Sequence, residues 1–137
     1  MSWLIEVSLP WPPTALSPNF KAHWSKRYGA TKRYRQACWA ITMAHSRVHL
    51  FGQLHMDLTF VRPNKRLFDL DNLVARMKSG IDGMADALSI NDAQIVSHSA
   101  RVAQDEVGGY VIMRLGEAHN EIGNTGNASG SNPRPRR

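Results

Sequence analysis

Three aspartates, Asp69, Asp71 and Asp92, are the strongest candidates for a reactive site in this sequence. The first two are separated by one leucine, and the third lies beyond a predicted helix. Alternate residues of an extended chain point to the same side, so Asp69 and Asp71 can face one volume. Hard divalent cations such as Mg²⁺ require oxygen ligands, and a pocket of carboxylates provides them. We therefore predict a metal site of the kind that assists phosphodiester cleavage.

The same aspartates also have a purely structural interpretation. An aspartate at the start of a helix caps exposed amide groups and complements the helix dipole, which would account for Asp69 and Asp71. Asp92 follows Asn91, and a pair of this kind favours a turn. Spacing alone does not decide between a metal site and helix capping.

Basic residues predominate in the rest of the chain. Its 17 lysines and arginines exceed its 11 aspartates and glutamates, which gives a formal net charge of +6. Such an excess indicates a polyanionic partner, and nucleic acid is the one that we predict. Two segments could contact it: the basic and aromatic start of the first predicted helix, and the loop before the first two aspartates. The predicted contact residues are Lys21, Trp24, Lys26, Arg27, Lys32 and Arg33 in the first segment, and Lys65, Arg66 and Phe68 in the second.

Both segments also have a structural interpretation that involves no nucleic acid. Basic residues at the start of a helix often form a solvated face, although an exposed Trp24 or Tyr28 could stack on an unpaired base. Phe68 could equally be buried in the core. The net charge favours the interpretation of the first segment as a nucleic-acid contact.

Several classes of protein are disfavoured by what the sequence lacks. Cys38 is the only cysteine, so no disulfide can form within the chain, and a packing role is predicted for it. No stretch is long and apolar enough to span a bilayer, and no glycine pattern fits a phosphate-binding loop, so we expect neither a membrane partner nor a nucleotide cofactor. A cytoplasmic location is predicted, with association to the nucleoid through DNA.

Strand and helix patterns alternate along the chain. Strands are predicted at 3–9, which ends at a proline-rich segment, and at 54–61, where apolar residues alternate with polar ones. A first helix is predicted over 31–50, where four residues recur at helical spacing, and a second over 71–88. The four residues of the first helix are Tyr34, Cys38, Ile41 and His45, and the predicted core stripe of the second consists of Leu73, Met77, Ile81, Met84 and Leu88.

Two further strands, at 94–103 and 109–115, are predicted to form a closing hairpin around Gly108 and Gly109. A strand that starts at Gln94 beside the strand that ends at Val61 would bring Asp92 back toward the other two aspartates. The predicted fold is α/β (α+β): one small domain in β-α-β-α-β-β order, with a mixed sheet and two main helices. The domain should span 1–116, with a disordered tail at 117–137.

The ordered set of motifs in this chain resembles the RusA family of Holliday-junction resolvases. The resemblance covers about residues 3 to 115, and the set is more specific than any one of its parts. Its motifs are Leu9-Pro10-Trp11-Pro12-Pro13 near the start, Arg62-Pro63 before a basic loop, Asp69-Leu70-Asp71-Asn72-Leu73 at a helix start, and Asp92-Ala93-Gln94-Ile95-Val96 entering a strand.

This resemblance implies a homodimer that needs Mg²⁺ or Mn²⁺ and makes paired, symmetric nicks across a four-way DNA junction, in DNA recombination and repair. It also implies that Asp69, Asp71 and Asp92 bind the metal. The family commonly has a lysine one helical turn after the second aspartate, where this chain has Ala75. Lys78 lies further along the helix and could replace that lysine in catalysis, or it could be a solvated surface residue.

Two other functions remain open on the sequence. A similar acidic site would serve a nuclease that acts on other branched DNA or on RNA. Alternatively, the chain could bind junctions without cutting them, with aspartates that only cap a helix.

Overall fold

The computed structural model of the chain describes residues 2–21, 23–45 and 48–118. They form a small mixed α/β domain, as the sequence predicts, with a four-stranded sheet and three α-helices where two main helices were predicted. In chain order the elements are β1 (Trp3–Pro10), α1 (Trp24–His45), β2 (Leu54–Val61), α2 (Leu70–Arg76), α3 (Lys78–Leu88), β3 (Ile95–Val102) and β4 (Tyr110–Glu117), with 3₁₀ turns at Thr14–Leu16 and Asp92–Gln94.

The sheet has the strand order β1-β4-β2-β3. Strand β4 is antiparallel to both β1 and β2, whereas β2 and β3 are parallel. The predicted pairing of the strand that starts near Gln94 with the strand that ends at Val61 is confirmed. The predicted β3–β4 hairpin is wrong, because β2 lies between these two strands.

Burial explains why β4 takes the inner position. Its residues Val111, Met113 and Leu115 are completely buried, as expected of a strand with neighbours on both sides, whereas β3 is largely exposed along one edge. Gly109, which has a positive φ of 83°, donates its amide hydrogen to the Val61 carbonyl at 3.0 Å. The glycines thus lie against the end of β2 and do not form a two-residue turn between β3 and β4.

Helix α1 begins seven residues before the predicted start at residue 31. Its buried residues, Ala30, Tyr34, Cys38 and Thr42, follow a strict four-residue spacing. The other two residues of the predicted stripe, Ile41 and His45, are exposed, so that part of the prediction is wrong. Cys38 has the packing role predicted for it, since it is completely buried, and burial raises the pKa of its thiol to about 11.

The second predicted helix consists of two helices, because the α-helical pattern is interrupted at Met77. The Met77 amide donates to the Val74 carbonyl at 3.0 Å, a three-residue spacing that tightens the chain there. The predicted core stripe is otherwise confirmed. Leu73, Met77, Met84 and Leu88 are buried, and Ile81 is half-buried against the core.

Helices α1 and α3 pack with their backbones unusually close, and two glycines of α3 make this possible. A methyl group added at Gly80 would overlap the Tyr34 ring, and one added at Gly83 would collide with the backbone carbonyl oxygen of Arg35. These glycines therefore fix how α3 lies on α1, and with it the direction of every side chain on the opposite face of α3.

The folded part extends past the predicted boundary at residue 116. Glu117 belongs to β4, and the Ala118 amide donates to the Gln53 carbonyl at 3.0 Å. The rest of the predicted tail, 119–137, lies outside the described residues. Among the described helices, none is both long and apolar enough to cross a membrane.

Candidate functional site

Helix α2 is held in place by the proline-rich segment that follows β1. The Asn72 side-chain amide donates to Ser17 Oγ at 2.8 Å, and Asn72 Oδ1 accepts from Arg76 Nε at 3.0 Å. Arg76 Nη1 in turn lies 3.4 Å from the Pro12 carbonyl oxygen. This chain of hydrogen bonds fixes the start of α2, where the first two candidate aspartates lie.

Asp69 is the N-cap of α2, so the capping interpretation is correct for this residue. Its Oδ1 accepts from the Asp71 amide at 3.0 Å and, more weakly, from the Asn72 amide at 3.5 Å. Within the described part of the chain, Asp69 Oδ2 and the whole Asp71 carboxylate have no hydrogen-bond or ionic partner. The structure therefore brings these two exposed aspartates together and leaves three of their four carboxylate oxygens free.

Asp92 belongs to a different group, with Lys78 and Asp82 of α3. The Lys78 ammonium donates to Asp82 Oδ1 at 2.9 Å and lies 4.0 Å from Asp92 Oδ2. The hydrogen bond to Asp82 raises the pKa of Lys78, so the ammonium stays protonated throughout the neutral range. Lys78 and Asp92, two of the predicted catalytic residues, are thus neighbours.

The parallel register of β2 and β3 explains where Asp92 lies. Ile95 is opposite Leu54, the first residue of β2, and Gln94 Nε2 donates to the Gly52 carbonyl at 3.1 Å. The turn with Asp92 therefore lies by the start of β2, whereas the segment that leads to Asp69 follows its end. Across the described ranges, no three or more histidine, cysteine, aspartate or glutamate side chains form a group that could hold one metal ion.

A surface cleft of about 180 Å³ opens between α1, the turn Thr14–Leu16, α2 and α3. Both Ala75, the position of the family's lysine, and Lys78 line this cleft. Ala75 lies one helical turn after Asp71, so the cleft begins beside the first aspartate pair. Its full lining consists of Leu16, Arg27, Thr31, Ala75, Arg76, Lys78, Ser79 and Asp82.

The first predicted nucleic-acid segment is mostly exposed, and most of it is helical. Lys21 precedes α1, and Trp24, Lys26, Lys32 and Arg33 project from the helix into solvent, with Trp24 72% exposed. Arg27 differs from these residues because it is half-buried. Its Nη2 donates to the carbonyl oxygens of Ser17 and Phe20, at 3.0 and 2.7 Å.

The second predicted segment is a basic loop organised by a buried arginine, Arg62. Arg62 Nη1 donates to the Arg66 carbonyl at 3.1 Å and lies 3.4 Å from the Lys65 carbonyl. Lys65 and Arg66 themselves are exposed, as a phosphate contact requires. Phe68 is half-buried, with its ring edge-on to Trp11 at a centroid distance of 5.3 Å, so it packs against the core.

No protein-family model matches this chain. An uncharacterized protein of Xylella fastidiosa (strain Temecula1 / ATCC 700964) is 37% identical to it over 136 aligned residues, which cover 93% of this chain and 82% of the relative. The chain belongs to the family of this Xylella protein. Because the alignment spans nearly the whole domain, the relative shares the overall fold, but its name assigns no activity to the site.

Two residues of the site region, Leu67 and Ser79, were missed by the sequence patterns, as was the burial of a third, Arg62. Leu67, in the basic loop, is 96% exposed. Arg62 and Ser79 are buried, and each has a side-chain atom without a hydrogen-bond partner among the described residues. The available signal for Leu67 was its apolar side chain in a basic loop, directly after Arg66. Nothing local to the sequence indicates that Arg62 and Ser79 are buried.

Proposed function

We propose that this protein is a metal-dependent endodeoxyribonuclease that resolves four-way DNA junctions by paired, symmetric nicks, as a member of the RusA family. The observation that carries the proposal is the Asp69–Asp71 pair, with its free carboxylate oxygens, beside a cleft lined by Arg27, Arg76 and Lys78. A cleaved phosphodiester needs both kinds of group: anionic oxygens for a metal ion and cations for the phosphate.

The donor set suits Mg²⁺, with Mn²⁺ as an alternative ion. Mg²⁺ is usually held by one or two carboxylates, and substrate phosphate oxygens and waters complete its coordination. Asp69 and Asp71 would supply the carboxylates, and we keep Asp92 as a third candidate because its carboxylate is exposed. When bound, the metal would lower the pKa of the attacking water and neutralise charge on the phosphate.

Residues of the chain would orient the strand and stabilise charge. Lys78 is protonated and lies next to Asp92, so it can stabilise negative charge that develops on the phosphate. The carbonyl contacts of Arg62 hold the basic loop in one conformation, which lets Lys65 and Arg66 contact the DNA backbone without a large ordering cost. No nucleophilic side chain is needed in this scheme.

The proposed substrate has approximate two-fold symmetry, and this accounts for the proposed homodimer. A symmetric dimer places one active site at each of two opposed strands, which is what paired nicks require. In the cell, such a protein would act in the cytoplasm, at the nucleoid, during recombination and repair. Other branched DNA or RNA would satisfy the same acidic and basic groups, so the substrate must be tested directly.

A non-catalytic junction-binding protein is the second candidate, and one observation favours it. Asp69 does cap α2, and the described residues do not gather all three aspartates around one point. In that case the basic surface of α1 and the basic loop would be the functional part of the molecule.

Cleavage of a synthetic four-way junction tests these candidates. We expect opposed nicks in the presence of Mg²⁺ or Mn²⁺ and none in EDTA, with little cutting of a linear duplex of the same sequence. Light scattering of the protein and of its complex should report two copies. Tight junction binding without cleavage in either metal would favour the non-catalytic candidate. Cutting of the linear duplex or of branched RNA at the same rate as the four-way junction would refute selectivity for the junction.

A further inference from the structure

The cleft between α1 and the α2–α3 segment is strongly basic. Three of its lining residues, Arg27, Arg76 and Lys78, are cations, and one, Asp82, is a carboxylate, which leaves a net charge of +2. Asp82 already accepts a hydrogen bond from Lys78 at 2.9 Å, so its charge is compensated within the cleft. The two arginines have no carboxylate partner within the described ranges.

Free hydrogen-bond donors accompany this charge. Among the described residues, both side-chain hydrogen bonds of Arg27 use Nη2, so its Nε and Nη1 remain available for a ligand. Arg76 uses Nε and, at the longer distance of 3.4 Å, Nη1, which leaves Nη2. Burial lowers the pKa of Arg76, which indicates partial exclusion of water around its guanidinium and therefore a stronger attraction to an anion.

Ser79 provides an independent indication of a ligand. It is only 8% exposed, it lines the cleft, and its Oγ has no hydrogen-bond partner among the described residues. A buried hydroxyl without a partner costs free energy, so such groups usually mark a place for a water, an ion or a ligand. A hydroxyl of a residue that lines the same cleft as two guanidinium groups is suited to donate to an anionic oxygen.

We propose that this cleft is a phosphate-binding subsite, in which Arg27, Arg76 and Ser79 hold one phosphate group and Lys78 lies at its edge. A phosphate offers several oxygen acceptors and at least one negative charge, which matches two partly free guanidinium groups and a hydroxyl. That this phosphate belongs to a DNA strand rests on the proposed function, whereas the affinity of the cleft for a phosphate group does not.

The position of the cleft suggests which phosphate it would hold. Ala75 lines the cleft one helical turn after Asp71, so a DNA strand that reaches the aspartate pair continues past the cleft. The subsite would then bind a phosphate next to the one that is cut. Arg27 would couple this contact to the Ser17 and Phe20 backbone, which fixes the direction of the strand relative to α1.

Ala75→Glu tests the subsite without removing any contact of the folded protein. Ala75 is exposed, and glutamate is a good helix former, so the helix should persist while a carboxylate enters the cleft. Ala40→Glu is the matched control, because Ala40 is also an exposed helical alanine but lies outside the cleft. Both variants and the unchanged protein would be titrated in EDTA with inorganic phosphate and, separately, with a short single-stranded DNA, and followed by NMR.

We expect Ala75→Glu to weaken phosphate binding by about tenfold or more through charge repulsion, and Ala40→Glu to leave it nearly unchanged. Ser79→Ala should weaken binding by about tenfold without lowering the melting temperature, since its hydroxyl has no hydrogen-bond partner among the described residues. Equal weakening by both glutamates would overturn the proposal, because the affinity would then reflect net charge alone. A melting temperature lowered by Ser79→Ala with unchanged phosphate affinity would overturn the role of the hydroxyl.

The DNA titration distinguishes the two sources of the phosphate. Parallel losses of inorganic phosphate and DNA affinity in Ala75→Glu support a backbone phosphate as the ligand. Loss of inorganic phosphate binding alone would overturn that assignment and make the ligand a free phosphate. The titrations contain no metal and measure no cleavage, so their outcome does not depend on nuclease activity. A protein that binds phosphate in the cleft but cuts no DNA would refute the proposed function and would still support the phosphate-binding subsite.

Discussion

The α2–α3 segment has two faces that differ in what determines them. The inner face packs on α1 and the sheet, where Met77 and Met84 are completely buried and Gly80 and Gly83 allow close backbone contact. The outer face carries exposed side chains, including Asp71 and Lys78. Substitutions on the inner face should therefore act on the free energy of unfolding, and those on the outer face on ligand binding and rate.

One short segment thus combines a rigid support on its inner face with a chemically reactive surface on its outer face. The inner face fixes the helix axis through shape, so the exposed side chains of Asp71 and Lys78 should contribute little to the free energy of unfolding. The outer face can then hold like charges and unpaired carboxylates whose repulsion would be costly in a core. The following predictions test this division of roles.

Gly83→Ala should produce the largest loss of stability. A helical glycine replaced by alanine normally gains up to about 1 kcal/mol. Here the added methyl group meets the Arg35 carbonyl oxygen, a backbone atom that cannot move without shifting α1, so we expect a loss of roughly 3 kcal/mol or more. Urea unfolding measures this. Gly29→Ala is the control, because its methyl group meets only the flexible Arg33 side chain and should not destabilise the protein.

Asp69→Asn, Asp71→Asn and Asp92→Asn should each reduce junction cleavage by roughly 10³-fold or more, because an amide lacks the charge that a hard cation needs. The free energy of unfolding should change by only about 0.5 kcal/mol, since asparagine also caps a helix well and all three positions are exposed. Junction affinity, measured by fluorescence anisotropy in EDTA, should persist. Normal cleavage by all three variants would mean that the aspartates have only a structural role.

Lys78→Ala should lower the single-turnover cleavage rate by about 10²-fold with little change in junction affinity, because an ammonium near the phosphate acts mainly in the transition state. Adding Ala75→Lys to this variant should restore much of the rate, since positions 75 and 78 line the same cleft. Unchanged cleavage by Lys78→Ala would refute the assignment and make Lys65, Arg66 or Arg76 the next candidate.

The sequence predicted the local elements of this fold better than their arrangement. The bounds of β2 are those that the alternation of Leu54 to Val61 predicts, and four of the five stripe residues of the α2–α3 segment are buried. The hairpin prediction failed because glycines report only that a chain can turn, whereas strand partners depend on the whole sheet. The apolar content of β4 and the polar content of β3 were the available signals of an inner and an edge strand.

The candidate site was predictable in its residues but not in their grouping. The position of Asp69 before a helix allowed a capping role as the structural alternative, and the structure shows this cap. The proximity of Lys78 to Asp92 depends on the chain reversal after α3, and the burial of Ser79 depends on the close approach of α1, which two glycines permit. Contacts of this kind arise from segments far apart in sequence, so no local pattern could indicate them.

The inner position of β4 has a consequence for how the protein is made. Trp3 pairs with Gly116, so the strands nearest the two ends of the described chain are neighbours, and β4 also separates β1 from β2. During synthesis, the ribosome releases β1 and β2 well before β4, the strand that joins them, and β3 shortly before it. Folding should therefore finish only after Glu117 emerges, and a nascent chain stalled before β4 would expose the apolar faces of β1 and β2 to chaperones or to aggregation.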